Sequence, residues 1–221
     1  QHDNLRGYFT VVATKKGVQT VVTVQSTATT LGGPGAPALK AGQIAKYTLD
    51  FVQVLNIETN SLGADLTGTY VSADQPIAVF AGHEGANAPD TNRCDKAPGQ
   101  LMGTCAHQGW TCGSDADCPI TCCADHLEEQ LLPVEGWGKH YLATKMWPRG
   151  KEKDIWRVLA ATDGTAVTTK PFQAAIPVLA AGQWFEFESD QNFVIEANNP
   201  VLIGQFMAGA NSPDPNTDTC I

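Results

Sequence analysis

Seven cysteines are the residues in this chain best equipped for chemistry, and six of them, Cys94, Cys105, Cys112, Cys118, Cys122 and Cys123, crowd into one short stretch. Thiols at that density hold metal in a reducing compartment and pair as disulfides in an oxidising one. No C-x-x-C pair, the spacing most structural zinc sites use, occurs among them, so disulfides are expected over zinc. Spacing does not reveal the connectivity, although the adjacent Cys122 and Cys123 point to different partners. Cys220 pairs either with the central cluster or with a residue beyond this sequence, and the chain is expected to continue past Ile221.

The remaining chemically capable residues form weaker patterns. The stretch 124–132 reads as a short helix, with Ala124, Leu127 and Leu131 on one stripe, an Asp125/Glu128 capping-box variant at its start and Pro133 at its end. A helix there places His126 and Glu129 on one face, and His83-Glu84 offers a second His-Glu pair. Neither continues as H-E-x-x-H, so His126 is expected to anchor the helix rather than to bind metal. Asp214, Asn216 and Asp218 have the D-x-N-x-D spacing that opens a calcium loop, and Asp115 and Asp117 are a poorer version. Both sets lack the glycine and the later bidentate Glu of such a loop, so no metal cofactor is expected, with calcium the one candidate. There is no G-x-S-x-G, no P-loop and no dinucleotide fingerprint, and paired cysteines are not nucleophiles. A glycosidase-type carboxylate pair is defined by distance rather than spacing. Glu58 and Glu196 stand at matching places in a repeat described below, which points to structure for both. Trp137, Trp147, Trp156 and Trp184 flank predicted strands and are expected to pack. Trp110, with Gln108, lies among the cysteines and is the predicted partner contact, since a disulfide-braced loop presents an aromatic at small entropic cost.

Strands must position these groups. Short runs rich in Val, Ile, Thr, Phe and Tyr are separated by 21 glycines and 13 prolines, the pattern of strands and turns. Leu39-Lys40-Ala41-Gly42-Gln43 returns as Leu179-Ala180-Ala181-Gly182-Gln183, each followed by an alternating run: Tyr47, Leu49 and Phe51 in the first, Trp184, Phe185 and Phe187 in the second. Upstream, Phe9–Ala13 aligns with Trp156–Ala160. Downstream, Ile57–Asn60 aligns with Ile195–Asn198, and Pro76-Ile77-Ala78-Val79 with Pro200-Val201-Leu202-Ile203. One-sided alternation calls for sheets facing across a core. The expected fold is all-β with one short helix: two duplicated β-sandwich-like modules, 1–82 and 155–221, packed pseudo-symmetrically, with a disulfide-rich insert, the helix and a connector at 83–154.

A net charge of −9 repels phosphate backbones and anionic lipid, and no basic stripe interleaved with aromatics is expected, so nucleic acid and membrane surfaces are not the expected partners. The longest apolar runs fall short of the roughly 18 residues of a spanning helix. The first residues are not a signal sequence, so any signal peptide is expected to have been removed.

The run Asp125-His126-Leu127-Glu128-Glu129-Gln130-Leu131-Leu132-Pro133-Val134, followed by Trp137-Gly138-Lys139, resembles the signature of the IgGFc-binding protein N-terminal domain family. Asp65–Thr69 leading to Pro76–Gly82, and Arg157–Ala160 with Asp163-Gly164-Thr165, are similar to further family segments in the same order, so the resemblance covers residues 40–209. It implies a secreted or surface-exposed recognition domain without a catalytic site. It marks Asp125, His126, Leu127, Glu129, Gln130, Trp137 and Gly138 as motif residues, and sets 93–122 apart as an insertion. The expected function is an extracellular, non-enzymatic binding or adhesion module for a protein, glycoprotein or matrix partner. The alternative is a filament or sheath subunit that binds copies of itself by strand addition, with Gly7 to Thr30 as donor.

Overall fold

Alternating residues in the first third of the chain form strands that bury every second side chain. The computed structural model describes residues 5–61, 63–86, 88, 94–97, 99–105, 111–114, 117–118, 125–149 and 152–209. β1 (Gly7–Ala13) buries Phe9, Val11 and Ala13, and β2 (Thr20–Gln25) buries Thr20, Val22 and Val24. β3 (Ile44–Leu49) contributes Tyr47 and Leu49, and β4 (Val54–Glu58) contributes Leu55 and Ile57. β5 (Tyr70–Ala73) and β6 (Ile77–Ala86) follow, then the short β7 (Cys94–Asp95), β8 (Gly103–Cys105) and β9 (Thr111–Cys112), and β10 (Asp125–Gln130). The antiparallel sheets β10-β6-β1-β4 and β3-β2-β5 share one core, closed by Leu39. Each fully buried Val or Leu there stabilises the fold by about 1.5–3 kcal/mol.

A second core forms between β11 (Gly138–Ala143), β12 (Asp154–Ala160), β13 (Val167–Lys170), β14 (Trp184–Ser189) and β15 (Phe193–Phe206). β15 serves both sides of it. Its first half pairs with β11 and β13, and its second half with β12, which pairs in turn with β14. Trp156, Phe187 and Phe193 meet edge-on or tilted in the middle, the arrangement ring quadrupoles favour.

The two Ala-Gly-Gln turns have one geometry. Gln43 Oε1 accepts from the Lys40 N–H and Gln183 Oε1 from the Ala180 N–H, at 3.0 and 2.9 Å. Gly42 and Gly182 sit at φ +80° and +74°, where L side chains are strained. The two repeats do not correspond strand for strand. Gly42 donates to Ser26, at the end of β2, and Gly182 donates to Ala160, at the end of β12. The Pro-led strands pair in the aligned register, Ala13 with Ile77 and Ala160 with Val201, so Phe9–Ala13 matches Trp156–Ala160 there. In the second module β12 thus makes both the contact that β2 makes with its turn and the pairing that β1 makes with its Pro-led strand.

Three further expectations change. The stretch read as a helix, 124–132, is a strand where it is described: Asp125–Gln130 pairs with β6, and the helical element nearby is a single 3₁₀ turn, Val134–Gly136. The open edge of β6 offers a ladder of partners that outweighs weak local helix propensity. Gly7 to Thr30 does not lie at an edge. β1 runs between β4 and β6, and β2 between β3 and β5, so both would have to leave their own sheets to act as donors. Phe51 does not continue the buried row of β3, and stands 42% exposed in the following turn.

Candidate binding surface

β10 adds to β6 as an edge strand, with a register shift between Asp125 and Leu127. Strand alternation puts His126 and Glu128 on one face and Leu127 and Glu129 on the other, so the expected pairing of His126 with Glu129 is replaced by His126 with Glu128. On the outer face of the four-stranded sheet, the Tyr8 ring stacks beside His126 at 6.2 Å between centroids. Its hydroxyl lies 3.4 Å from His126 Nε2, which is 3.4 Å from Glu128 Oε2. Partial burial and the charges of Glu128 and Glu84 push the Tyr8 phenol above its ordinary value. Alongside, Thr10 Oγ1 donates to Asn56 Oδ1 and Asn56 Nδ2 to Glu58 Oε1, both at 2.8 Å.

Gly82 makes this face possible. A Cβ there would lie 2.0 Å from the Leu127 carbonyl oxygen and 3.0 Å from the Tyr8 hydroxyl, so only glycine lets β10 approach and Tyr8 reach across. His126 and Glu128 are about half exposed, and the arrangement is a polar, partner-accessible surface. Among the described residues the one close group of potential metal ligands is Cys94, Cys112 and Cys118, and those sulfurs are bonded in the disulfides Cys94–Cys112 and Cys105–Cys118. Two staples therefore brace the small sheet β7-β8-β9, whose core consists of cysteines.

The other motif residues join the two sandwiches. Asp125 Oδ1 accepts from the His126 N–H, Gln130 and Glu129 are exposed, and Leu127 is half-buried. After β10 the chain turns at Pro133, where Trp137 Nε1 donates to the Leu132 carbonyl. Gly138 then opens β11. Its N–H donates to the Tyr141 hydroxyl, and that hydroxyl donates to the Val201 carbonyl. A side chain at Gly138 would press on the Tyr141 ring at 3.2 Å. The signature is thus a strand in the first sandwich, a tight turn and a strand in the second.

A second contact between the sandwiches involves Arg157 on the outer face of β12. Its guanidinium reaches Asp65 at 2.7 Å, Thr67 at 2.6 Å and Glu186 at 2.8 Å, and lies 4.0 Å above the Trp184 ring. Gly68 closes the contact against the backbone of Gly182. Glu196 is held by Lys170 at 2.6 Å. The hydrogen bond from Lys170 keeps its carboxyl below the ordinary range, and Glu58 faces Asn56, so each serves its own sheet.

Sequence missed one surface. Trp156 packs in the core, Trp137 is half-buried and Trp184 lies under Arg157, but Trp147 is 88% exposed. It stands in Lys145-Met-Trp-Pro-Arg149-Gly-Lys-Glu-Lys153, which holds four of the 14 Lys and Arg. That is a basic stretch around an aromatic where none was expected, and the whole-chain charge hid it. Of the expected contacts, Gln108, Trp110, Cys122, Cys123, Asp115, Cys220 and the calcium candidates Asp214, Asn216 and Asp218 lie outside the described residues. Asp117 accepts from the Gly113 and Ser114 N–H groups at 2.7 and 2.8 Å, which makes it the cap of a tight turn.

The IgGFc binding protein family model matches residues 1–220. The chain belongs to the IgGFc binding protein family. It is similar to the human IgGFc-binding protein, at 29% identity over 134 residues that make up 61% of this chain and 2% of the human one. No solved structure matches it. The chain is β-rich and braced by two disulfides among its described residues, and no helix among the described residues is long and apolar enough to cross a membrane.

Proposed function

We propose that this chain is an extracellular, non-catalytic protein-recognition module that engages its partner through the outer face of β10-β6-β1-β4. The observation that carries this is the placement of the family signature: β10 sets His126 and Glu128 beside Tyr8 on an accessible sheet face, with Gly82 kept bare beneath them. Family membership supports protein binding, and the two disulfides fit an oxidising, extracellular compartment. The human relative's name makes the immunoglobulin Fc fragment the first probe. In surface plasmon resonance on the immobilised chain, Fc should bind and Fab should not, and Tyr8→Ala with His126→Ala should weaken Fc binding by at least about tenfold, or 1.4 kcal/mol. Absence of Fc binding, or binding indifferent to both substitutions, would overturn the assignment.

A further inference from the structure

The loop joining β11 to β12 presents Trp147 on a rigid mount. Glu152 and Asp154 are 6% and 2% exposed, an unusual depth for acids in a connecting loop. Both carboxylates accept backbone N–H groups from the opposite side of the loop: Glu152 Oε1 from Arg149 at 2.6 Å, and Asp154 Oδ2 from Met146 at 2.7 Å. Gln205 Nε2 donates to the same Asp154 oxygen at 2.8 Å, and Asn192 Oδ1 accepts from the Lys145 N–H at 2.8 Å. The Lys145 ammonium turns inward, to the Glu152 carbonyl at 2.8 Å and to Asp154 at 3.8 Å. These bonds tie Met146 to Asp154 and Arg149 to Glu152, so the stretch that carries Trp147 and the one that carries Lys153 are held to each other at both of these points. Arg149 donates to the Ala208 carbonyl through one nitrogen and keeps other guanidinium donors.

An indole held this way loses little entropy on contact. With Lys145 turned inward, the exposed cations among the described residues of this segment are Arg149 and Lys153, Lys153 within electrostatic reach of Asp190, in a chain that is otherwise acidic. The footprint of one ring and two cations is small beside the roughly 800 Å² per partner that a stable protein interface buries. It matches one or two sugar units, whose apolar face stacks on an indole while an acidic substituent takes the cations.

We propose that the Trp147 loop binds an anionic glycan, with the indole as stacking platform and Arg149 and Lys153 holding a sulfate or carboxylate. This rests on the reading of the chain as an extracellular recognition module, and concerns a surface separate from Tyr8 and His126, so the Fc measurement and this one can fail independently. The test is a fluorescence titration of the intact chain with three probes: a heparin-derived sulfated hexasaccharide, 3′-sialyllactose and neutral lactose. Saturable quenching at up to millimolar concentration is expected with one or both acidic probes and not with lactose. The acidic probe that acts identifies the group as sulfate or carboxylate. Trp147→Ala, at a solvent-exposed position that leaves the fold intact by circular dichroism, should abolish binding measured by calorimetry. Lys153→Glu should weaken it about tenfold or more. Equal response to lactose, no response to any probe, or calorimetric binding retained in Trp147→Ala would each overturn the proposal.

Discussion

Replacing Gly68 with alanine attacks the contact between the two sandwiches from both ends. Gly68 has φ +87°, and an added Cβ would sit 2.1 Å from the Gly182 carbonyl oxygen. Holding an L residue in the left-handed region costs about 1–2 kcal/mol. Relieving the clash requires the 65–69 loop or the Ala-Gly-Gln turn to shift, and overpacking of this kind costs about 1–3 kcal/mol. Movement of the loop also pulls Asp65 and Thr67 away from Arg157, a partly exposed ion pair worth about 0.5–1 kcal/mol after screening. The total, about 2.5–6 kcal/mol, corresponds to a fall of roughly 5–24 °C in Tm for a chain of this size. Differential scanning calorimetry of Gly68→Ala, Arg157→Ala and the double variant measures it. The two changes act on one contact, so their effects should not add. A Tm for Gly68→Ala within a degree of the parent, or strict additivity in the double variant, would show that this loop does not hold the sandwiches together.

Three further outcomes follow from the same structure. Reducing the Cys94–Cys112 and Cys105–Cys118 bonds should raise amide exchange in β7, β8 and β9, while β1, β2, β12 and β15 stay protected, because among the described residues the insert's buried cluster is made of cysteines; each staple of 13–18 residues contributes about 3 kcal/mol to that sheet. Burial pushes the His83 imidazole below its ordinary 6.5, against the pull of Glu84 and Asp65, and its Nδ1 accepts from the Gly85 N–H. Above pH 6.5 the ring is neutral folded or unfolded; as pH falls from there the unfolded chain takes the proton first, so stability should decline until the folded ring also titrates. Urea midpoints from pH 8 to pH 5 should show this slope and lose part of it in His83→Gln. Glu128→Gln should bring the Tyr8 phenol back toward its ordinary value in an ultraviolet titration, and an unchanged titration curve would separate Tyr8 from the charge on β10.

Where one physical cause dominates locally, the sequence could be read directly. Alternation in Thr20–Gln25 and Ile44–Leu49 reports one-sided burial, and the Leu-x-Ala-Gly-Gln runs report a turn that needs glycine at positive φ and a glutamine to cap it. Asp125–Gln130 could not be read so, because its state is decided by the edge of β6, and the residues making that edge lie 39 to 50 positions upstream. The aligned runs Phe9–Ala13 and Trp156–Ala160 do share a register with their Pro-led strands, but which strand each Ala-Gly-Gln turn closes on was not readable, since two apolar strands advertise burial without naming a neighbour. Trp147 was hidden differently. Tryptophans beside strands usually pack, and only the inward turn of Glu152, Asp154 and Lys145 shows that this one is held in solvent.

The disulfide sheet spans the gap between β6 and β10, which are hydrogen-bonded neighbours. Topologically, then, everything from Asn87 to Ala124 is the tip of a hairpin whose stem belongs to the first sandwich. A tip whose described residues carry two staples and add no side chain to either large core is an exchangeable cassette: a designed loop can replace it while the stem keeps its register. The scaffold is in this sense a display platform, with its stapled insert mounted where change costs the fold least.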